Sequence, residues 1–158
     1  MITFEITTDK ELIQQVVTNP FLFRKLFADP QLNPQEWEPE ADMTYLKILH
    51  NNKLMGLFPF KIKTALLAEV HIFILPKYMN KKLIFKAIRK GCEWIQAQYG
   101  IKKLTTWCPD NCEHIAKFLY MLNFTPRGHI PEATYYDQQL AGIIIWDTDI
   151  HQLTQLKV

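Results

Sequence analysis

Alternating hydrophobic and polar positions mark the strands of this chain. Between Ile2 and Thr7 every second residue is apolar, which is the period of a half-buried strand. Residues 44–50 and 53–64 predict two further strands on either side of Asn51 and Asn52, a pair that tolerates the positive φ angles of a tight hairpin. Four more strands are predicted, at residues 66–75, 103–108, 124–136 and 140–146, with a turn at 137–139.

A repeat of three to four residues replaces this alternation elsewhere and predicts helices. The longest covers Lys81–Tyr99 and is followed by Gly100, in the position favoured just past a helix end. Asp9 is placed to cap an earlier helix that Pro20 ends.

Two shorter helices are also predicted. Residues 21–27 are expected to form the first, with the side chains of Phe21, Phe23 and Phe27 packed inward. Asp110 and Glu113 have the spacing of a capping box at the start of the other. Between the early helices and the second strand, residues 29–42 have the composition of an extended acidic loop, with three prolines and four carboxylates around Trp37.

The order of these elements predicts the architecture. A helix between the strands at 66–75 and 103–108 requires a crossover and makes those strands parallel. The hairpins at both ends require antiparallel pairing. We therefore expect an α/β fold of the mixed α+β kind, with a mostly antiparallel sheet and helices on both faces. Residues 1–147 are expected to form one domain, followed by a polar tail at 148–158 that frays or docks.

Composition narrows the classes of function. Of the 158 residues, 48% are hydrophobic and 22% charged, with a net charge of +2, which is a globular balance too mildly basic to indicate nucleic-acid binding. The first residues lack the basic and apolar regions of a signal peptide, and no apolar run is long enough to span a bilayer. The three cysteines are not spaced like those of a disulfide framework, so we expect free thiols and a cytoplasmic location.

Three groups of residues are candidates for catalysis or for binding a ligand. Glu69 and His71 lie two apart on one predicted strand and so share a face; they are either a catalytic pair or a hydrogen-bonded structural pair. Four lysines at the start of the long helix are either a phosphate site or a solvated edge: Lys77, Lys81, Lys82 and Lys86.

The segment from Cys108 to His114 contains two thiols and an imidazole, but their spacing is not that of a zinc site. We therefore expect no metal there. The remaining interpretation is a buried thiol at the strand end and a second thiol, Cys112, whose pKa the helix start could lower.

Several segments resemble the GNAT acetyltransferase superfamily. Residues 69–78, EVHIFILPKY, resemble its central strand and the entry to its cofactor loop. Leu122, Asn123 and Phe124 stand where the family usually has Leu-Gly-Phe, and residues 133–137 resemble its closing hairpin. The resemblance implies a GNAT-like fold in which a central parallel strand pair splays apart and holds acetyl-CoA in the gap.

The resemblance also implies binding residues. The pantetheine arm would bond the backbone of Ile72, Phe73 and Ile74, and the phosphates would sit on the loop and helix start at Lys77, Asn80, Lys81, Lys82 and Leu83. The family's two loop glycines are replaced here by Asn80 and Lys82, and its Gln or Arg by Lys77. We expect the Lys82 side chain to fold over the loop and weaken binding.

The implied catalytic parts are Glu69 as base, with His71 beside it, and the backbone of Phe73 and Leu75 polarising the thioester. The family's tyrosine acid falls at Leu119, and the adjacent Tyr120 is rotated by about 100 degrees on a helix and points elsewhere.

Two functions follow from this resemblance. The chain is also similar, more loosely, to GNAT-like head-assembly or virion proteins of short-tailed phages, and the altered loop favours such a structural role, with phage structural proteins as partners in the host cytoplasm or virion. The alternative is an active acetyl-CoA-dependent N-acetyltransferase acting on a small amine or a protein acceptor.

Overall fold

The computed structural model describes residues 1–26 and 30–155. Its strands are β1 (Ile2–Thr7), β2 (Thr44–His50), β3 (Lys53–Ile62), β4 (Leu67–Val70), β5 (Phe73–Ile74), β6 (Lys103–Pro109), β7 (Thr125–Tyr136) and β8 (Gln139–Asp149). Its α-helices are α1 (Lys10–Val17), α2 (Pro20–Leu26), α3 (Lys81–Tyr99), α4 (Glu113–Met121) and α5 (Ile150–Thr154).

The described strands form one mixed sheet in the order β1-β2-β3-β4-β6-β8-β7, with β5 also paired to β3. All pairs are antiparallel except β4 with β6, which are parallel across the α3 crossover. This confirms the predicted mixed sheet and its single parallel pair.

Helices cover both faces of this sheet, as predicted. One core lies between the sheet and α3, α4 and α5, and a smaller one lies between the opposite face and α1 and α2. The central strand β3 is buried continuously from Met55 to Phe60 because it is covered on both sides.

The local signals for turns and helix ends are confirmed. Asn51 and Asn52 take φ angles of 51° and 61° in the β2–β3 turn. Gly100 ends α3 at φ 69°, where a side chain would be strained. Asn123 has φ 58°, so asparagine serves at the position where glycine stands in the resembling family.

The structure corrects two local predictions. Cys112 is the N-cap of α4 but makes no side-chain capping bond. The Asp110 carboxylate instead accepts from the Gly142 amide at 3.0 Å and bonds His129 at 2.8 Å. Phe23 is buried, but Phe21 is exposed, because side chains two positions apart on a helix point in nearly opposite directions. Phe27 lies outside the described residues.

The end of the chain adds to the core. Residues 147–149 complete β8, and α5 follows directly. Ile150 and Leu153 of α5 are fully buried in the core that contains α3. No helix within the described ranges is both long and apolar enough to cross a bilayer.

Candidate active site

A gap in the centre of the sheet is the main feature of the site. The β4 and β6 strands pair only from Leu67 with Lys103 to Glu69 with Thr105. Beyond that point β6 continues along β8, whereas the other strand stays on β3. The two parallel strands therefore splay apart toward their carboxyl ends, as predicted.

The predicted strand at residues 66–75 is divided into β4 and β5 at His71 and Ile72. The His71 amide donates to the Pro59 carbonyl at 2.9 Å. Proline has no N–H to return this bond to the His71 carbonyl, which gives a physical reason for the interruption. The pairing register with β3 is the same in β4, before this interruption, and in β5, after it.

That register decides which backbone groups face the gap. The amides of His71 and Leu75 donate to β3, the latter to the Met55 carbonyl at 2.9 Å. Since hydrogen-bonded and non-bonded pairs alternate along an antiparallel ladder, the backbone of Ile72 and Ile74 points the other way, into the gap. Phe73, which is paired with Leu57 of β3, faces the same way as His71 and Leu75. The expectations that the backbone of Phe73 and Leu75 polarises a thioester and that the Phe73 backbone bonds the pantetheine arm are therefore wrong.

A cavity of about 540 Å³ opens from this gap on the side of α3 and α4. Its lining is mostly apolar and includes Ile72, Ile74, Ile84, Phe118 and Leu119. We call this cavity the apolar cleft.

The start of α3 lies at the outer end of the apolar cleft. Asn80 is its N-cap at φ −110°, an ordinary extended angle that does not call for glycine, and its side chain accepts from the Leu83 amide at 3.1 Å. Leu83 therefore has its N–H occupied, while Lys81 and Lys82 supply the preceding first-turn amides.

The lysines at this helix start keep their side chains outside the cleft. Lys82 is exposed and is not part of the described cleft lining. Lys77 Nζ lies 5.1 Å from the centroid of the Tyr78 ring, and Lys81 Nζ lies 6.0 Å from the centroid of the Phe85 ring.

Glu69 and His71 form the polar centre of the site, on the same face as predicted. His71 Nε2 lies 3.0 Å from Glu69 Oε1, and Lys63 Nζ lies 2.8 Å from Glu69 Oε2. The hydrogen bond from His71, followed by the one from Lys63, lowers the pKa of Glu69 to about 2 despite its burial. Glu69 is thus held as a carboxylate, and His71 packs edge-on against Trp107 at 6.0 Å.

A second, smaller cavity of about 130 Å³ lies on the opposite face of the sheet. Its walls contain Trp37, Glu40, Tyr45 and Glu69, and we call it the acidic pocket. Its outer wall belongs to the predicted acidic loop, which is fixed to α1 where Gln14 Nε2 donates to the Trp37 carbonyl at 3.0 Å.

The two cavities meet through the sheet. Four residues line both: His71, Phe73, Trp107 and Ile115. An imidazole paired with a carboxylate therefore lies where the apolar cleft meets the acidic pocket. This arrangement suits transfer of a group from a ligand in the apolar cleft to a ligand in the acidic pocket.

The remaining predicted residues lie as follows. Leu119 is buried in the cleft lining, and Tyr120 is 58% exposed with its ring edge-on to Trp146 at 4.8 Å, so Tyr120 points elsewhere as predicted. The three cysteines are buried free thiols. Within residues 1–26 and 30–155, no three metal-ligating side chains come together.

Lys63, which contacts Glu69, was not predicted from the sequence, and neither were two aromatic residues of the site, Trp107 and Tyr136. Both line the apolar cleft, one from β6 and the other from the last hairpin. The only available signal was that each is an aromatic residue near a strand end, which is too common to single them out.

The chain is similar to known acetyltransferases in sequence pattern and in fold. A family model described as the Acetyltransferase (GNAT) family matches residues 11–124. The structure of a Vibrio cholerae spermidine N-acetyltransferase in complex with CoA and spermine is 14% identical, with 96% of this chain and 97% of that chain covered and a TM-score of 0.78. A protein named as a candidate phosphinothricin N-acetyltransferase is 16% identical, with coverages of 95% and 99% and a TM-score of 0.73.

At these identities the likeness to solved structures establishes the fold alone. No curated protein matches the sequence. The matches give no support to the expected likeness to phage head-assembly or virion proteins.

Proposed function

Because the chain belongs to the GNAT acetyltransferase family, we propose that it transfers an acetyl group from acetyl-CoA to the nitrogen of a small amine. The observation that carries this proposal is the junction of the apolar cleft and the acidic pocket at His71, Phe73 and Trp107. A donor in the first cavity and an acceptor in the second would meet at a paired imidazole.

The apolar cleft fits an acyl-CoA donor. Its length of apolar wall suits the pantetheine arm, and the backbone of Ile72 and Ile74 offers the polar groups that the arm's amides need. The amides of Lys81 and Lys82, with their cationic side chains, would hold the phosphates at the start of α3. When bound, the donor supplies an activated acetyl thioester.

The acidic pocket fits the reacting end of a cationic amine. The carboxylates of Glu40 and Glu69 favour a positive charge, and Trp37, Tyr45 and Trp107 supply aromatic walls that also favour one. The spermidine enzyme with a similar fold was solved with spermine, which is consistent with an amine acceptor. The small volume of this pocket favours a primary amine with a narrow end.

His71 is the group we assign as base, with Glu69 positioning it. A carboxylate with a pKa of about 2 is a weak proton acceptor at neutral pH. Because this ionised carboxylate can only accept a hydrogen bond, His71 Nε2 must donate to it. In the neutral imidazole, His71 Nδ1 then has the lone pair that would take the proton from the amine.

A non-catalytic assembly role stays a prediction, with less support than before. It rested on Asn80 and Lys82 in place of glycines and on the missing tyrosine, whose position is taken by Leu119. In the structure Asn80 has an ordinary backbone angle and Lys82 lies outside the cleft lining, so neither departure closes the apolar cleft.

An activity assay with a matched histidine variant tests the proposal. The purified chain is given acetyl-CoA and a panel of polyamines, small primary amines and amino acids, and released thiol and acetylated product are both measured. His71→Gln should lower kcat at least 100-fold and leave CoA affinity within about twofold, as measured by calorimetry. His151→Gln, on the exposed side of α5, is the control and should change neither quantity.

Either of two results would overturn the function. Absence of CoA binding would remove the donor, and CoA binding without acetylation of any amine in the panel would remove the reaction. Full activity of His71→Gln would instead leave the function in place and remove His71 as its base.

A further inference from the structure

The apolar cleft extends past its junction with the acidic pocket. That junction lies at His71, and the backbone groups of Ile72 and Ile74 follow it toward the open end of the gap. The described lining also contains side chains that reach the other way, toward the segment where β4 and β6 are paired. We call the space between them the inner recess; they are Val70, Cys92, Leu122 and Phe124.

The end of α4 forms one wall of the inner recess. Thr148 Oγ1 donates to the carbonyl of Asn123, the residue between the two members of this wall, at 2.9 Å. Thr148 is paired with Leu104 of β6, which is paired in turn with Ala68 of β4. Ala68 precedes His71 by three residues, or about 10 Å along a strand. This wall therefore reaches the closed part of the sheet.

The middle of α3 forms the opposite wall, where Cys92 has a fully buried side chain. Two residues after Cys92, the ring of Trp94 lies 6.4 Å from the ring of Phe60. Phe60 is paired with Val70, which comes directly before the junction residue. At Cys92 the helix has therefore come level with the end of β4, on the inner side of the junction.

The chemistry of the inner recess suits hydrocarbon. Its four side chains are buried and apolar, since the free thiol of Cys92 behaves as a small hydrophobic group. The described lining of the whole cleft contains no Asp, Glu, Lys or Arg. A pantetheine arm carries amides that need hydrogen-bond partners, which these side chains do not offer. Apolar cavities in proteins bind hydrocarbon, so the recess suits a chain of methylene groups.

The direction of attack leads such a chain from the junction into the recess. The amine arrives from the acidic pocket, on the opposite face of the sheet from α3 and α4. A nucleophile approaches a carbonyl carbon perpendicular to the plane of the thioester, so the sulfur and the alkyl chain both stay in that plane, along the cleft. With the sulfur toward Ile72 and the open end, the alkyl chain extends toward Val70 and the closed end.

From this continuity, and resting on the proposed function, we propose that the inner recess binds the alkyl chain of the acyl donor and that an acyl group of about six carbons is preferred to acetyl. Four more methylenes add about 5 Å to an extended chain, which the 10 Å of strand between Ala68 and His71 accommodates. The reaction itself is unchanged. The amine nitrogen bonds the carbonyl carbon, the carbon–sulfur bond breaks with its electron pair on sulfur, and the amine proton goes to His71 and then to solvent. The thiolate takes a proton from solvent, so the products are the amide and CoA.

Binding of two unreactive thioethers tests this inference without turnover. S-ethyl-CoA and S-hexyl-CoA differ by four methylenes, and each buried methylene is worth about fourfold in affinity. The wild type should bind S-hexyl-CoA at least tenfold more tightly by calorimetry, with a more negative heat-capacity change, because more apolar surface is buried. Equal affinities for the two thioethers would overturn the proposal.

Variants of Cys92 place the chain in the recess. Cys92→Met lengthens a side chain of the recess wall and should weaken S-hexyl-CoA at least tenfold while S-ethyl-CoA stays within twofold. Cys92→Ala enlarges the recess and should raise the affinity for S-octyl-CoA relative to S-hexyl-CoA at least threefold, which keeps the test open if the methionine variant fails to fold. The control is Cys112→Ala, a buried thiol outside the described lining of both cavities, which should keep the wild-type ratios.

Turnover then separates this inference from the function beneath it. With the same amine, hexanoyl-CoA should have a kcat/KM at least tenfold above that of acetyl-CoA. Acetylation with no gain from the longer chain, or a preference for S-hexyl-CoA that Cys92→Met leaves intact, would overturn the role of the recess alone. A gain from hexylamine over ethylamine as acceptor, with none from S-hexyl-CoA, would give the recess to the acceptor and also overturn it. Absence of binding by every CoA thioether would overturn both.

Discussion

Acidification should remove a defined part of the stability of this fold through Glu69. The pKa of its carboxylate is about 2 in the folded chain, against an ordinary value of 4.5. A lowered folded pKa means that the stabilisation is fully present above pH 4.5 and is lost as the pH falls through 2. The interactions responsible are those with His71 and Lys63.

The size of the effect follows from the geometry. At about 1.4 kcal/mol per pKa unit, the difference between 4.5 and about 2 corresponds to about 3 kcal/mol of unfolding free energy. The side chains of Glu69 and Lys63 are 20% and 39% exposed, so solvent screening reduces the expected contribution to about 1 to 2 kcal/mol.

Urea unfolding of the wild type and of Glu69→Gln at several pH values measures this contribution. Glutamine keeps the size of the side chain but cannot ionise. The wild type should be more stable by about 1 to 2 kcal/mol at pH 7, and this difference should shrink to less than half at pH 3. Taking the difference cancels the other acidic groups, which titrate in both proteins.

Glu113→Gln provides the control, since its ion pair with Lys117 is a largely exposed one on α4. It should change stability by no more than about 0.5 kcal/mol at either pH. A Glu69→Gln difference that is the same at pH 7 and pH 3 would refute the reasoning, because it would show that folding does not depend on the ionisation of Glu69.

Three further variants test the architecture of the site. A Cβ on Gly56 would lie 2.0 Å from a β5 carbonyl oxygen, so Gly56→Ala should displace β5. The variant should lose about 1 to 3 kcal/mol of unfolding free energy and bind CoA at least tenfold more weakly by calorimetry. Gly128→Ala is the control and should change neither quantity, because a Cβ there meets no atom within 4 Å. Lys82→Gln should weaken CoA binding two- to fivefold, as loss of an exposed phosphate contact does, and tighter binding would show that lysine obstructs the site. Leu153→Ala should lower the unfolding free energy by about 2 to 5 kcal/mol and Gln152→Ala by less than about 0.5 kcal/mol; equal effects would mean that α5 is not part of the core.

Much of the architecture could be predicted because its signals are local. The spacing of apolar residues in Lys81–Tyr99 and the glycine that follows it are sufficient for α3 and its end. The Asn51–Asn52 turn similarly carries its own backbone preference. The helix between two apolar strands was enough to infer a crossover and therefore the parallel pair.

The candidate site was predictable only in part. Strand alternation placed Glu69 and His71 on one face, but it could not reveal that Lys63 would join them and lower the pKa of Glu69. The resemblance located the cofactor loop, yet it could not decide the direction of the Lys82 side chain, which depends on how the start of α3 meets the cleft.

The remaining features depend on residues far apart in the chain. The break between β4 and β5 coincides with Pro59 on the neighbouring strand, and Asp110 bonds His129 and Gly142 instead of capping a helix. The pattern along a segment reports which of its faces is buried, because burial selects residue type at every second or every third to fourth position. It carries no record of which distant amide, carboxylate or ring will lie opposite, since that is fixed only when the strands pair and the helices pack.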